Sequence, residues 1–165
     1  MVNAVMITGG NLGDVAGNLA AAREMIAAEA GMIVVESSVR KSAPWGFESP
    51  DWFLNQVLVV ETSLEAEEVL ARTQGIERRL GRERPTGTDN AKKHYASRTM
   101  DIDLLFYGDR VIETPALTLP HPRIAERVFV LDLLCEIMPD YHHPVLGKTM
   151  HELRETLRNE HNTHI

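Results

Sequence analysis

Residues 97–108 read SRTMDIDLLFYG, and the stretch makes two demands that conflict at first sight. Met100, Ile102, Leu104 and Phe106 alternate as the core-facing row of a strand does. Asp101 and Asp103 interrupt that row, although aspartate is among the residues least favoured in strands. Side chains of a strand alternate with period two, so the apolar row is expected to face one way and both carboxylates the other. Two like charges on one face repel, and burying either alone is costly. A hard divalent cation, Mg²⁺ or a pair of them, removes the conflict, because it takes oxygen ligands and brings substrate phosphates with it. An acidic edge strand facing solvent, or a carboxylate dyad working as acid and base, would account for the same spacing.

The segment just upstream strengthens the metal reading. Between Gly81 and Arg98 stand Arg82, Arg84, Lys92, Lys93 and Arg98 against Glu83 and Asp89, a local charge of +3 in a chain of −7. Connections of that length in a compact domain are usually functional or disordered. A basic loop beside two carboxylates points to an anionic ligand held with a metal. The overall acidity argues against general nucleic-acid binding, which needs a basic face.

A chain of 165 residues, 44% apolar and 25% charged, is expected to fold as a single domain with a real core and no metal or disulfide staples. The one cysteine, Cys135, allows no intrachain disulfide and no multi-cysteine zinc site, which favours a reducing cytoplasm. The opening MVNAVMITGG has no basic flank, and its apolar run is short for a signal peptide or a membrane span.

Working outward along the chain, residues 3–8 read as a short buried strand ended by the turn GGNLGD. Asp14 is placed to cap a helix with the stripe Val15, Leu19, Ala22, Ile26 and Ala30, closed by Gly31. MIVVESSVRKSAP reads as a second strand, stopped at Pro44, and FLNQVLVVETS as a third. Thr62 or Ser63 is expected to cap a second helix with the stripe Val69, Thr73, Ile76 and Leu80. After the DxD strand come the turn YGDR, a helix near residues 125–138, and a last helix after Thr149 with Glu152 completing a capping box. The order is that of an α+β, ferredoxin-like βαββαβ sandwich with an antiparallel sheet, two long helices on one face and a C-terminal helical extension.

Several other residues carry chemistry by type and spacing. Gln74 and Glu77 neighbour each other on the second helix. Phe53 and Asn55 share a strand face, and a ring beside an amide suits a flat heterocycle, although a strand Phe is more often plain core. Phe129 carries the same ambiguity. His121 lies between two prolines and beside Arg123, a stiff setting suited to phosphate contact. His142, His143 and the tail EHNTHI read as solvated surface and fraying terminus. Neither G-x-x-x-x-G-K-[ST] nor G-x-G-x-x-G occurs, so a nucleoside triphosphate would be held by metal-bound carboxylates and loop cations.

Together these stretches resemble the 6-hydroxymethyl-7,8-dihydropterin pyrophosphokinases of folate biosynthesis. SRTMDIDLLFYG is similar to the family's R-T-[IL]-D-[IL]-D-[IL]-L-x-[YF]-G, and GGNLGD, APWG, FLNQVLVVETSL, QGIERRLGRER and LPHPR accompany it in order. The resemblance implies a ferredoxin-like fold and Mg²⁺-dependent transfer of pyrophosphate from ATP to the pterin hydroxymethyl, releasing AMP. It implies two Mg²⁺ ions on Asp101 and Asp103, and Arg82 and Arg98 on the phosphates as a lid closes. Gln74, Glu77, Leu104, Thr118, His121 and Arg127 would serve ATP. Ser42, Ala43, Pro44, Trp45, Gly46, Phe53, Asn55, Tyr95, Asp101 and Phe129 would serve the pterin. It further implies a cytoplasmic monomer whose partners are these two substrates, with neither nucleic acid nor membrane. The chain departs from many relatives at Tyr95-Ala96-Ser97-Arg98, where W-G-P-R is common, and at Gly10 and Phe53, where serine and tyrosine are usual. A non-catalytic binding module of the same fold would not need carboxylates facing a basic loop, and a metal-dependent phosphodiesterase would not need a ring slot.

Overall fold

The computed structural model describes residues 1–42, 53–81 and 100–163. Strand β1 (Val2–Gly10) leads into helix α1 (Val15–Glu29), then strands β2 (Met32–Glu36), β3 (Arg40–Ser42) and β4 (Phe53–Thr62) and helix α2 (Ala66–Leu80). Strand β5 (Asp101–Tyr107) follows, then the short strands β6 (Ile112–Glu113) and β7 (Thr118–Leu119), a 3₁₀ turn (Ile124–Glu126), and helices α3 (Val128–Ile137) and α4 (Met150–Thr163).

The sheet runs β2-β4-β1-β5, with β3 also on β4, and every pairing is antiparallel. Both faces are covered, which is why β1 and β4 are nearly continuous apolar runs. Ala4, Met6, Leu58 and Val60 meet Leu19, Ala22 and Ile26 of α1 and Val69 and Ile76 of α2. Val5, Ile7, Val57 and Val59 turn the other way, onto Val130, Leu131 and Leu134 of α3 and Leu153 and Leu157 of α4. The C-terminal extension is therefore a third layer, and it closes the face opposite α1 and α2.

Local signals place most of these elements. Asp14 accepts the Gly17 amide at 3.1 Å and caps α1, and Ala30 rather than Gly31 forms its C-cap. Gly31 is needed for close approach, since a Cβ there would stand 2.3 Å from the Glu61 carbonyl oxygen. The capping box of α4 forms in both directions, Thr149 N to Glu152 Oε1 at 2.9 Å and Glu152 N to Thr149 Oγ1 at 3.1 Å.

Besides the C-cap of α1 and the burial of His143, four details differ from the sequence reading. First, β1 extends through Gly10, so Gly9 and Gly10 are strand rather than turn. Second, MIVVESSVRKS is not one strand. The Val57 amide donates to Ser37 Oγ at 2.9 Å in place of a carbonyl, and the register advances by one residue at Val34 and again before β3. Third, α2 is capped at Glu65 without a side-chain bond, because Thr62 Oγ1 is occupied by the Ala30 carbonyl at 2.6 Å and the Leu64 amide at 3.1 Å. Fourth, the β5 alternation breaks. A bulge opposite Val5/Met6 puts Leu105 and Phe106 together on the α3/α4 face, while Met100, Ile102, Leu104 and Tyr107 pack towards α1 and α2.

Phe106 in turn explains His143, which is buried rather than solvated. Its ring stands edge-on to Phe106 at 5.6 Å, and its Nδ1 accepts the amides of Val145 at 3.2 Å and Leu146 at 3.1 Å. Burial holds the imidazole below its ordinary pKa. The unfolded chain protonates it near its ordinary value, and the folded chain only at lower pH. Between those points the unfolded state binds more protons, so stability falls as pH falls. Asparagine at this position supplies an acceptor that does not titrate. We expect the stability advantage of wild type over His143→Asn, read from thermal melts, to shrink between about pH 7.5 and about pH 5.5. A constant gap would refute the assignment.

Candidate active site

One row of residues crosses three strands on the α3/α4 face. Asn55 of β4 lies opposite Gly9 of β1, and Gly9 lies opposite Asp101 of β5. In the next row on that face Val57, Ile7 and Asp103 are partners. Directly opposed residues of neighbouring strands project to the same side, so register alone puts Asn55 and both aspartates around one depression. With strands spaced about 4.8 Å apart, the two ends of the first row stand roughly 10 Å from each other. That span suits two ligand parts in contact.

The depression is a cavity of about 240 Å³ lined by Ile7, Thr8, Gly9, Ser42, Phe53, Asn55, Asp101, Asp103, Leu105, His121, Arg123, Ile124, Arg127, Phe129 and Val130. Its two ends differ in chemistry. At one, Phe53 of β4 and Phe129 of α3 supply rings and Asn55 supplies an amide. Asn55 is buried, and its Nδ2 donates to Ser42 Oγ at 2.8 Å. Its Oδ1 lies over Gly9, where a Cβ would approach to 2.4 Å. Glycine inside a strand often marks such a close approach, and the GGNLGD stretch carries that signal beside its turn signal.

The other end is charged. Asp101 and Asp103 face His121, Arg123 and Arg127, which come from the chain between β7 and α3. The His121 amide donates to the Leu105 carbonyl at 3.0 Å, tying this segment to the outer edge of β5. His121 Nδ1 accepts the Arg123 amide at 3.1 Å, so the neutral ring carries its proton on Nε2. Burial, followed by the charges of Arg127 and Arg123, holds this imidazole below its ordinary pKa.

Glu77 reaches the same edge from α2. Its Oε2 accepts the Ile102 amide at 2.6 Å. Burial first, and then the nearby Asp101 and Asp103, push its carboxyl up to about 8. Three acidic groups thus crowd the start of β5. A bound divalent cation would relieve this crowding, and the all-oxygen donor set fits a hard cation such as Mg²⁺. Among the described residues no group of three or more side chains forms a cage for a metal. Two carboxylates without a cage suit an ion that keeps water and takes further oxygens from a substrate phosphate.

Of the residues singled out in the sequence, the fold brings Ser42, Phe53, Asn55, Asp101, Asp103, His121, Arg127 and Phe129 into one cavity. Gln74 is exposed on α2, Thr118 is exposed in β7, and the Leu104 side chain is buried on the opposite face of the sheet; none of the three lines it. Ala43, Pro44, Trp45, Gly46, Arg82, Tyr95 and Arg98 lie outside the described residues. Thr8, Gly9 and Leu105 join the lining unannounced, because their place depends on strand register.

The sequence model of the 7,8-dihydro-6-hydroxymethylpterin-pyrophosphokinase family matches residues 5–139. A 2-amino-4-hydroxy-6-hydroxymethyldihydropteridine pyrophosphokinase of Synechocystis sp. is 40% identical over 92% of this chain and 74% of its own length. The protein of that name in Methylorubrum extorquens is 37% identical over 92% of this chain and 91% of its own. Among solved structures, the HPPK-DHPS A437G/K540E protein of Plasmodium falciparum, with pterin and p-hydroxybenzoate, superposes with a TM-score of 0.77 at 16% identity. That match covers 99% of this chain but 45% of the longer one, so the likeness bears on the fold of one part of that protein. The chain belongs to the 7,8-dihydro-6-hydroxymethylpterin-pyrophosphokinase family.

Proposed function

We propose that this site transfers the pyrophosphoryl group of ATP to the hydroxymethyl oxygen of 6-hydroxymethyl-7,8-dihydropterin, giving AMP and the pterin diphosphate for folate biosynthesis. One observation carries the reading: a ring-and-amide slot and a carboxylate pair lie in one cavity, at the two ends of the Asn55–Gly9–Asp101 row.

At the slot end, Phe53 and Phe129 stack on the two faces of the pterin. Asn55, with Nδ2 engaged by Ser42, turns its Oδ1 acceptor to the N–H groups of the ring edge. At the charged end, Asp101 and Asp103 are the residues that would hold Mg²⁺, two ions in this reading, beside the triphosphate. Magnesium there supplies charge neutralisation and orientation for in-line displacement at the β-phosphorus. His121 donates from Nε2 to a phosphate oxygen, and Arg127 and Arg123 add positive charge on the same side. In the same reading Arg82 and Arg98 serve the phosphates and Tyr95 serves the pterin. Gln74, Glu77, Leu104 and Thr118 belong to the nucleotide side, with main-chain groups serving where side chains are buried or turned away. The backbone of Ser42, Ala43, Pro44, Trp45 and Gly46 takes the pterin's polar edge. A loose transition state needs positioning and charge stabilisation more than early deprotonation of the hydroxyl, so no strong base is required.

The ferredoxin-like description of the fold is supported by the order β2-β4-β1-β5 with α1 and α2 on one face. A single-domain enzyme is supported by one sheet with a helical layer on each face, and it acts as a monomer in this reading. A cytoplasmic setting fits the free Cys135 and the need for ATP. Among the described residues, no helix is long and apolar enough to cross a membrane.

Phosphorus NMR with Mg²⁺, ATP and the reduced pterin should show AMP and a pterin diphosphate. ADP with a pterin monophosphate, or hydrolysis alone, would overturn the reading. Asp101→Ala and Asp103→Ala should each lower turnover by roughly a thousandfold, the scale of several kcal/mol of lost charge stabilisation, with unchanged melting. Gly9→Ala should displace Asn55 and weaken pterin binding about tenfold, the worth of one polar contact, while leaving nucleotide affinity near wild type. Equal losses for both ligands in isothermal titration would show that Gly9 supports the sheet rather than the slot.

A further inference from the structure

The slot described above has one wall on α3 and the other on β3 and β4, and these elements come from distant parts of the chain. Strand β3 is three residues long, pairs with β4 alone among the described residues, and carries Ser42, the partner of Asn55. It begins just after the corner at Ser37–Val39, where the sheet register shifts. Something must fix where β3 sits relative to α3, because Phe129 stands on the latter.

Glu136 makes that connection. Its Oε2 accepts the Ser38 amide at 2.7 Å and its Oε1 accepts the Ser38 hydroxyl at 2.7 Å. Arg40 Nη2, from the first residue of β3, donates to the same Oε1 at 3.2 Å. Both carboxylate oxygens are thus committed to the corner and to β3. Charge-assisted bonds of this kind are shorter and stronger than neutral ones. The bonds from Ser38 and then the charge of Arg40 hold this carboxyl below its ordinary pKa, so it stays ionised across the working range. Glu136 lies seven residues after Phe129, two helical turns and roughly 10 Å along one face of α3. The face that carries the ring is therefore also the face that is tied to β3.

We propose that Glu136 is a positioning residue for the pterin slot: by clamping Ser38 and Arg40 it sets the distance between the Phe129 wall and the Ser42–Asn55 wall. The residue does not line the cavity. This inference rests on the pterin reading of the slot, but the clamp can be tested with and without a ligand.

Without ligand, hydrogen exchange on Glu136→Ala should show the Ser38 and Arg40–Ser42 amides losing protection about tenfold, with the β1–β4 ladder unchanged. Unaltered exchange there would overturn the clamp whatever the protein binds. With ligand, Glu136→Ala should raise the KM for 6-hydroxymethyl-7,8-dihydropterin about tenfold, well inside the hundredfold that an ångström-scale misplacement can cause. The KM for ATP and kcat should stay within about twofold, as expected where only one ligand's pocket is misaligned. Glu136→Gln, which keeps an acceptor for Ser38, should recover most of the pterin affinity. Adding Ser38→Ala to Glu136→Ala should cost little more, because the two act through one contact. Equal loss for both substrates, or a lowered melting temperature with normal pterin KM, would make Glu136 merely structural. Failure of the wild type to bind the pterin would instead strike the functional reading and leave the exchange result to judge the clamp.

Discussion

The pairing of β1 with both β4 and β5 is the constraint on which the site depends. Because Gly9 is opposite Asn55 on one side and Asp101 on the other, a single register fixes amide, gap and carboxylate in one line. A slip of one residue in either ladder would turn one end of that line to the opposite face of the sheet. The ladders resist such slips because both faces of β1 and β4 are buried, so a shift would misplace every apolar side chain of the strand. Stability of the core and alignment of the site therefore follow from the same contacts.

The bulge in β5 belongs to this scheme. It lies beyond Asp103, so the carboxylates keep strict alternation while Leu105 and Phe106 both turn to the α3/α4 layer. Phe106 then anchors that layer from below, with Tyr141 edge-on at 4.9 Å and His143 at 5.6 Å. The irregularity gives the third layer an aromatic foothold on an edge strand without disturbing the acidic row. It also helps explain why α3, and with it Phe129, can rest on a sheet whose charged positions lie so close.

The charges of the site come from different parts of the chain, and their balance is a product of folding. Asp101 and Asp103 stand on an edge strand, Glu77 reaches the same edge from α2, and His121, Arg123 and Arg127 arrive on the segment after β7. Each group taken separately would be an ordinary surface residue. Brought together, they make a strip where acid and base are adjacent and partly buried. Such a strip suits a polyanion carried with a metal, and the Phe53–Asn55–Phe129 slot beside it suits a flat heterocycle.

Much of this was readable from local patterns. The alternation around Asp101 and Asp103, the caps at Asp14 and Thr149, the stripes of α1 and α2 and the Phe53–Asn55 spacing all depend on near neighbours, so a one-dimensional reading captures them. The motif set around SRTMDIDLLFYG also identified the family, since it records residues that one chemistry needs in one order. The reading failed where a distant partner decides. Phe106 changed face because a bulge forms only against β1. Ser37 broke a strand because its hydroxyl met Val57, and Gly9 became part of the site because Asn55 lies across from it. His143 became buried because Phe106 waits beneath it, and the link from Glu136 to Ser38 spans nearly a hundred residues of chain. Periodicity and capping are short-range effects and are written in consecutive residues. Register, bulges and cross-layer hydrogen bonds exist only once the sheet and its covering helices have come together.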